Sequence, residues 1–147
     1  MIQRIQSVYL LISTILIGLL FLLPFAEIAK DGAIYLFNFK GVLLDGVVKT
    51  NGLAVPILLV MIIALNVLAI FSYSNRGKQV KLVWGAMLML AVLLVLFVYF
   101  TYLSFSGAQI SFKLGAVLPL ISIILNYLAI RAINKDDALI RSIDRIR

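Results

Sequence analysis

The chain has 147 residues, 64% of them hydrophobic and 13% charged, with a formal net charge of +7 and a mean hydropathy of +1.16. A soluble domain holds about 45–50% apolar and about 25% charged residues, and so short a chain cannot hide this much apolar surface in a water-soluble core. Disorder needs low hydrophobicity, so what remains is a single integral membrane domain over residues 1–147, of the all-α class.

Taken in chain order, four apolar runs predict transmembrane helices: Val8–Phe25, Leu53–Tyr73, Leu82–Phe105 and Leu114–Ile133, the last with Arg131 snorkelling at its end. At a rise of 1.5 Å per residue they reach about 27 to 36 Å, enough for a hydrocarbon core of about 30 Å. They are too long and too uniformly apolar for barrel strands. The first run is long for a signal-peptide core and no A-x-A cleavage site follows it, so it reads as an uncleaved first helix.

The connection Ala26–Gly52 carries β-branched and aromatic residues over Ile34–Phe39 and apolar pairs at Val42–Leu44 and Val47–Val48. Turn pairs Asp31-Gly32, Lys40-Gly41, Asp45-Gly46 and Asn51-Gly52 punctuate it. Strands within about 32–49 are expected, joined by a strand at 108–113, as a small extracytoplasmic antiparallel β-sheet capping an antiparallel four-helix bundle. The alternative is an irregular loop lying on the membrane.

Lys and Arg set the orientation. Arg4, Arg76, Lys78, Lys81, Arg131, Lys135, Arg141, Arg145 and Arg147 fall on one side, against Lys30, Lys40, Lys49 and Lys113 on the other. The positive-inside rule places both termini and the Ser74–Val80 loop in the cytoplasm, with the chain multi-pass in its membrane. The basic charge reads as lipid-facing loops rather than a nucleic-acid surface.

The chain has no Cys and no His, which removes disulfides, thiol nucleophiles, Cys/His zinc sites and haem held by either residue. The carboxylates Glu27, Asp31, Asp136 and Asp137 lie outside the spans, and no phosphate loop or hydrolase motif is present. Neither catalysis nor a cofactor is expected. The spans contain the polar residues Ser13, Thr14, Asn66, Thr101, Ser122 and Asn126. Asn66 and Asn126 lie in a weak repeat, Leu65-Asn66-Val67-Leu68-Ala69-Ile70 against Leu125-Asn126-Tyr127-Leu128-Ala129-Ile130. They are candidates for interhelical hydrogen bonds or for a polar pocket.

Beyond the fourth span, Asn134 reads as the N-cap of a cytoplasmic amphipathic helix over 134–147. Asp137 and Arg141 stand four apart, and Leu139, Ile143 and Ile146 form an apolar stripe. Asp137, Leu139, Arg141, Ile143 and Arg145 are candidate partner-docking residues. The segment is expected to lie on the inner leaflet, to dock on a partner protein, or to extend into solvent.

The two ends carry a resemblance. Met1-Ile2-Gln3-Arg4-Ile5-Gln6, Asn75-Arg76 with Gln79, and Leu125–Ala129 followed by Lys135–Ser142 and Asp144–Arg147 resemble a family of small four-helix inner-membrane proteins of Bacteroidota defined as a domain of unknown function. The resemblance implies residence in the bacterial inner (cytoplasmic) membrane and supplies no activity, substrate or catalytic residue. The layout of helices and outer strands is also similar to the claudin-like membrane fold. The expected role is an accessory or scaffold subunit of a cell-envelope complex, or a self-assembling membrane protein. Its expected partners are membrane lipids and a protein partner or second copies of itself. The rival expectation is a passive carrier or binding protein for a lipid or small neutral solute, using the interior near Asn66 and Asn126.

Overall fold

The computed structural model describes residues 5–30, 32–103 and 107–144. In chain order these residues form α1 (Ile5–Leu19), β1 (Ala26–Lys30), β2 (Ala33–Asn38), β3 (Gly41–Leu44), β4 (Val47–Asn51), α2 (Ala54–Phe71), α3 (Arg76–Val98), a π-helical turn (Tyr99–Leu103), β5 (Gln109–Phe112) and α4 (Leu114–Asp144). Three helices are long and apolar enough to cross a membrane: Ala54–Phe71, Arg76–Leu103 including the π turn, and Leu114–Ala138. Where lipid replaces water, such runs must close their backbone hydrogen bonds internally, which a helix does. Their outward residues remain apolar, as at Ile57 (59% exposed), Val95 (68%) and Ile124 (60%).

α1 is shorter than the expected Val8–Phe25. Among the described residues it covers Ile5–Leu19. Pro24 disfavours helical backbone in the residue before it. The chain tightens ahead of it, with the Leu20, Phe21 and Leu22 amides donating to the carbonyls three residues back at 3.0–3.2 Å.

The expected strands form, and one more with them. The sheet order is β4-β3-β2-β1-β5, antiparallel throughout. β1 lies before the expected start at residue 32. Its Ala26 and Ile28 point into the core while Glu27 between them stays half-exposed, the period of two that a one-sided strand needs. β5 joins the first connection as expected, with Ala26 opposite Phe112 and Ile28 opposite Ile110. The Asp45-Gly46 turn has φ of +47° and +80°, the left-handed pair that closes a two-residue hairpin.

α1 packs against α2 and α4, and α3 against the same two helices. The larger core cluster joins the helices to the sheet, and its hub is Phe25. Its ring stacks on Phe97 at 4.4 Å and meets Phe37 edge-on at 5.0 Å. Its N–H donates to the Phe37 carbonyl at 2.8 Å, and its carbonyl accepts from the Lys113 N–H at 3.0 Å. A smaller cluster (Leu10, Ala69, Val83, Ala129, Ile130 and Ile133) packs nearer the α2–α3 connection.

The separate helix expected over 134–147 does not occur as such. α4 runs unbroken through Asn134 to Asp144, 31 residues in all. Asn134 is a good cap residue, but no Gly or Pro follows Pro119 in this helix to stop it, and propagation adds a hydrogen bond for each residue fixed.

Candidate functional site

Two sets of polar side chains stand out against the apolar helices. The first lies inside. Asn66 of α2 and Asn126 of α4 meet: the Asn126 Nδ2 donates to Asn66 Oδ1 at 3.4 Å. Asn66 Nδ2 in turn donates to Ser13 Oγ of α1 at 3.3 Å. All three residues are 0% exposed. The bonds are long for N–H···O contacts, yet they link three helices through one amide. Ser122, one turn along α4 from Asn126, is also fully buried. Its hydroxyl and the Asn126 Oδ1 find no hydrogen-bond partner among the described residues.

Gln6 and Gln79 extend this set, and neither was a candidate from sequence. They are 2% and 0% exposed, and Gln6 Nε2 and both amide atoms of Gln79 lack partners among the described residues. Their signal lay in spacing. Gln6, Leu10, Ser13 and Ile17 form one buried stripe on α1, and Gln79, Val83, Ala86, Leu90, Leu93 and Phe97 form another on α3. Each glutamine continues the step of three and four residues that marks an inward helix face. Every member of this interior set is an amide or a hydroxyl. It offers hydrogen bonds and no titratable charge.

The second set joins α3 to the far part of α4. The Asn75 side chain caps α3 by accepting from the Lys78 N–H at 3.0 Å. Next to it, the Arg76 guanidinium reaches Asp136 at 3.1 Å and Asp137 at 3.6 Å. The Arg76 side chain is 15% exposed and the two carboxylates 38% and 35%. Asp137, a partner-docking candidate, therefore faces a residue of its own chain. For Leu139, Arg141 and Ile143 the structure describes the helical backbone alone, and Arg145 lies outside the described residues. A third ion pair, Lys113 to Glu27 at 2.9 Å, sits beside the β1–β5 pairing.

The fold thus defines a helical protein in which three helices are long and apolar enough to cross a membrane, with a small antiparallel sheet at the end where α1 and α3 finish and α2 and α4 begin. The chain belongs to the family described as Domain of unknown function (DUF4293), whose model matches residues 2–146. No curated protein and no solved structure matches it.

Proposed function

We propose that the protein is a non-catalytic integral protein of the bacterial inner membrane that serves as an accessory or scaffold subunit of a cell-envelope complex, or assembles with itself. In this reading it spans the membrane four times, with both termini in the cytoplasm and the sheet outside. α1 and the tight turn after it cover residues 5–23, about 28 Å of rise, close to the core thickness of about 30 Å. The exposed Leu11, Ile15 and Leu22 give that segment a lipid-facing surface.

One observation carries the subunit reading: α4 continues past its apolar part as an unbroken helix, and Arg76 grips it at Asp136 and Asp137. A helix of 31 residues is about 46 Å long, so its last turns stand clear of the hydrocarbon core. A helix held at its root presents a pre-oriented surface to a partner, which lowers the ordering cost of association. The test is affinity isolation of tagged full-length protein from native membranes in mild detergent, beside a form lacking residues 136–147. A stoichiometric companion that is lost with the truncation, while the truncated protein still inserts, supports the subunit reading. Full-length protein recovered alone sinks it.

The carrier reading draws on the Ser122 hydroxyl, the Asn126 Oδ1 and the Gln79 amide, which have no partner among the described residues and which a small neutral solute with hydrogen-bonding groups would satisfy. Against it, Asn66 and Asn126 have no accessible surface, so no water-sized space adjoins them. Loss of solute binding on replacing both with Leu, with the fold retained, would restore it.

A further inference from the structure

The β2–β3 turn, β4 and the start of α2 line an open cleft of about 560 Å³. Two exposed cationic side chains, Lys40 and Lys49, line it beside Phe39, Val48, Leu53 and Pro56. Backbone contact holds this arrangement in place. Gly41, with φ of +116°, lies against the end of β4: a Cβ there would run into the Thr50 carbonyl oxygen and stand 2.6 Å from the Gly52 nitrogen. The Gly52 N–H donates to the Lys40 carbonyl at 3.1 Å. The turn that carries Lys40 is thus clamped to the strand that carries Lys49. The Phe39 ring packs on Phe21 at 5.5 Å between centroids, which ties the same turn to the end of α1.

Charge and polarity point to one kind of occupant. Lys113 is paired with Glu27, but no carboxylate of a described residue pairs with Lys40 or Lys49. From Leu53 (63% exposed), the N-cap of α2 in the cleft wall, an outward apolar track continues through Ile57 (59%) and Val60 (57%), at the spacing of one helix face. Two cations without a carboxylate partner, one of them (Lys40) over the Phe39 ring at 5.6 Å, above an apolar track match an anionic headgroup above an acyl chain. A free soluble anion has no use for the track, and a peptide has no use for its position on a membrane-spanning helix.

We propose that this cleft binds the phosphate headgroup of an anionic phospholipid, with an acyl chain laid along Leu53, Ile57 and Val60. The proposal rests on the membrane reading above, which resistance to alkaline extraction tests by itself, so the two failures are told apart. The direct test titrates full-length protein in neutral detergent with phosphatidylglycerol, with phosphatidylcholine of the same chains, and with inorganic phosphate, read by native mass spectrometry. The expected result is preferential retention of phosphatidylglycerol, weakened roughly tenfold in Lys40→Gln/Lys49→Gln. Lys30→Gln, which alters a different cleft of about 380 Å³ at the β1–β2 turn, keeps wild-type binding, and Lys40→Arg/Lys49→Arg restores it. Equal retention of the two lipids overturns the proposal, as does an undiminished affinity in the Gln double variant with an unchanged unfolding transition. Release of the lipid by millimolar inorganic phosphate also overturns it and marks a site for soluble anions.

Discussion

Asn66 serves two neighbours with one amide, donating to Ser13 and accepting from Asn126, whereas the Ser122 hydroxyl nearby has no partner among the described residues. The two sites should therefore respond differently to truncation. Asn66→Ala removes two hydrogen bonds and opens a cavity, and is expected to cost about 1–3 kcal/mol. Ser122→Ala deletes a desolvated hydroxyl and is expected to be neutral or mildly stabilising. Thermal unfolding in detergent checks both, and equal losses would show that the amide contacts contribute nothing specific. The glycines make a similar contrast. A Cβ at Gly115 would lie 2.5 Å from the Pro24 carbonyl oxygen and 3.1 Å from the Phe25 ring, while one at Gly18 meets nothing within 4 Å. Gly115→Ala should destabilise by about 1–3 kcal/mol through overpacking, and Gly18→Ala should stabilise α1 by up to about 1 kcal/mol. Asn66 and Asn126 were legible because each stands alone in an apolar run. Gln6 and Gln79 were not, because they border charged segments where a glutamine is ordinarily solvated, and only the phase of the neighbouring apolar residues marks them as inward.

At the scale of elements, the ion pairs of Arg76 decide how firmly the outer part of α4 is held. These groups are partly exposed, so Arg76→Ala should lower global stability by less than about 1 kcal/mol. Its larger effect is local. Amide hydrogen exchange over 134–144 is expected to rise in the variant and in high salt. Unchanged exchange there would mean that the helix holds itself. The continuity of α4 escaped the sequence because Asn134 followed by acidic residues is a good helix start, and the same residues are equally tolerated inside a helix that nothing interrupts. The end of α1 was misplaced in the opposite sense: Leu20–Leu23 are as apolar as the helix before them, and only the backbone constraint imposed by Pro24 separates them. The turn of the β3–β4 hairpin was readable, since Asp45-Gly46 fits a turn that few other dipeptides fit, although β4 runs on to Asn51, past the expected end at 49. β1 was hidden by its brevity and by its ordinary composition, Ala-Glu-Ile-Ala-Lys, and became a strand through its two neighbours.

For the whole molecule, hydropathy carries most of the reading. Three helices have the length and polarity to cross a membrane, and the chain has no Cys, so single cysteines report accessibility on a clean background. With Lys49→Cys at the sheet end and Lys78→Cys at the start of α3, a membrane-impermeant maleimide applied to intact spheroplasts should label the first and spare the second. Labelling of both, or of Lys78→Cys alone, would overturn the proposed orientation. The class of fold was legible because hydrophobic runs of this length admit few alternatives. The interior pattern was less so, because it depends on which faces of four helices turn toward one another, and apolar runs hydrophobic on all sides carry almost no record of that.

The pairing of β1 with β5 has a consequence for biosynthesis. Ala26 emerges from the ribosome early, but its partner Phe112 follows only after α2 and α3 have been made. Until then one side of β1 presents bare N–H and C=O groups. A nascent chain stalled before residue 109 therefore exposes an open template, and correct assembly is a race between delivery of the last strand and capture of that template by another chain.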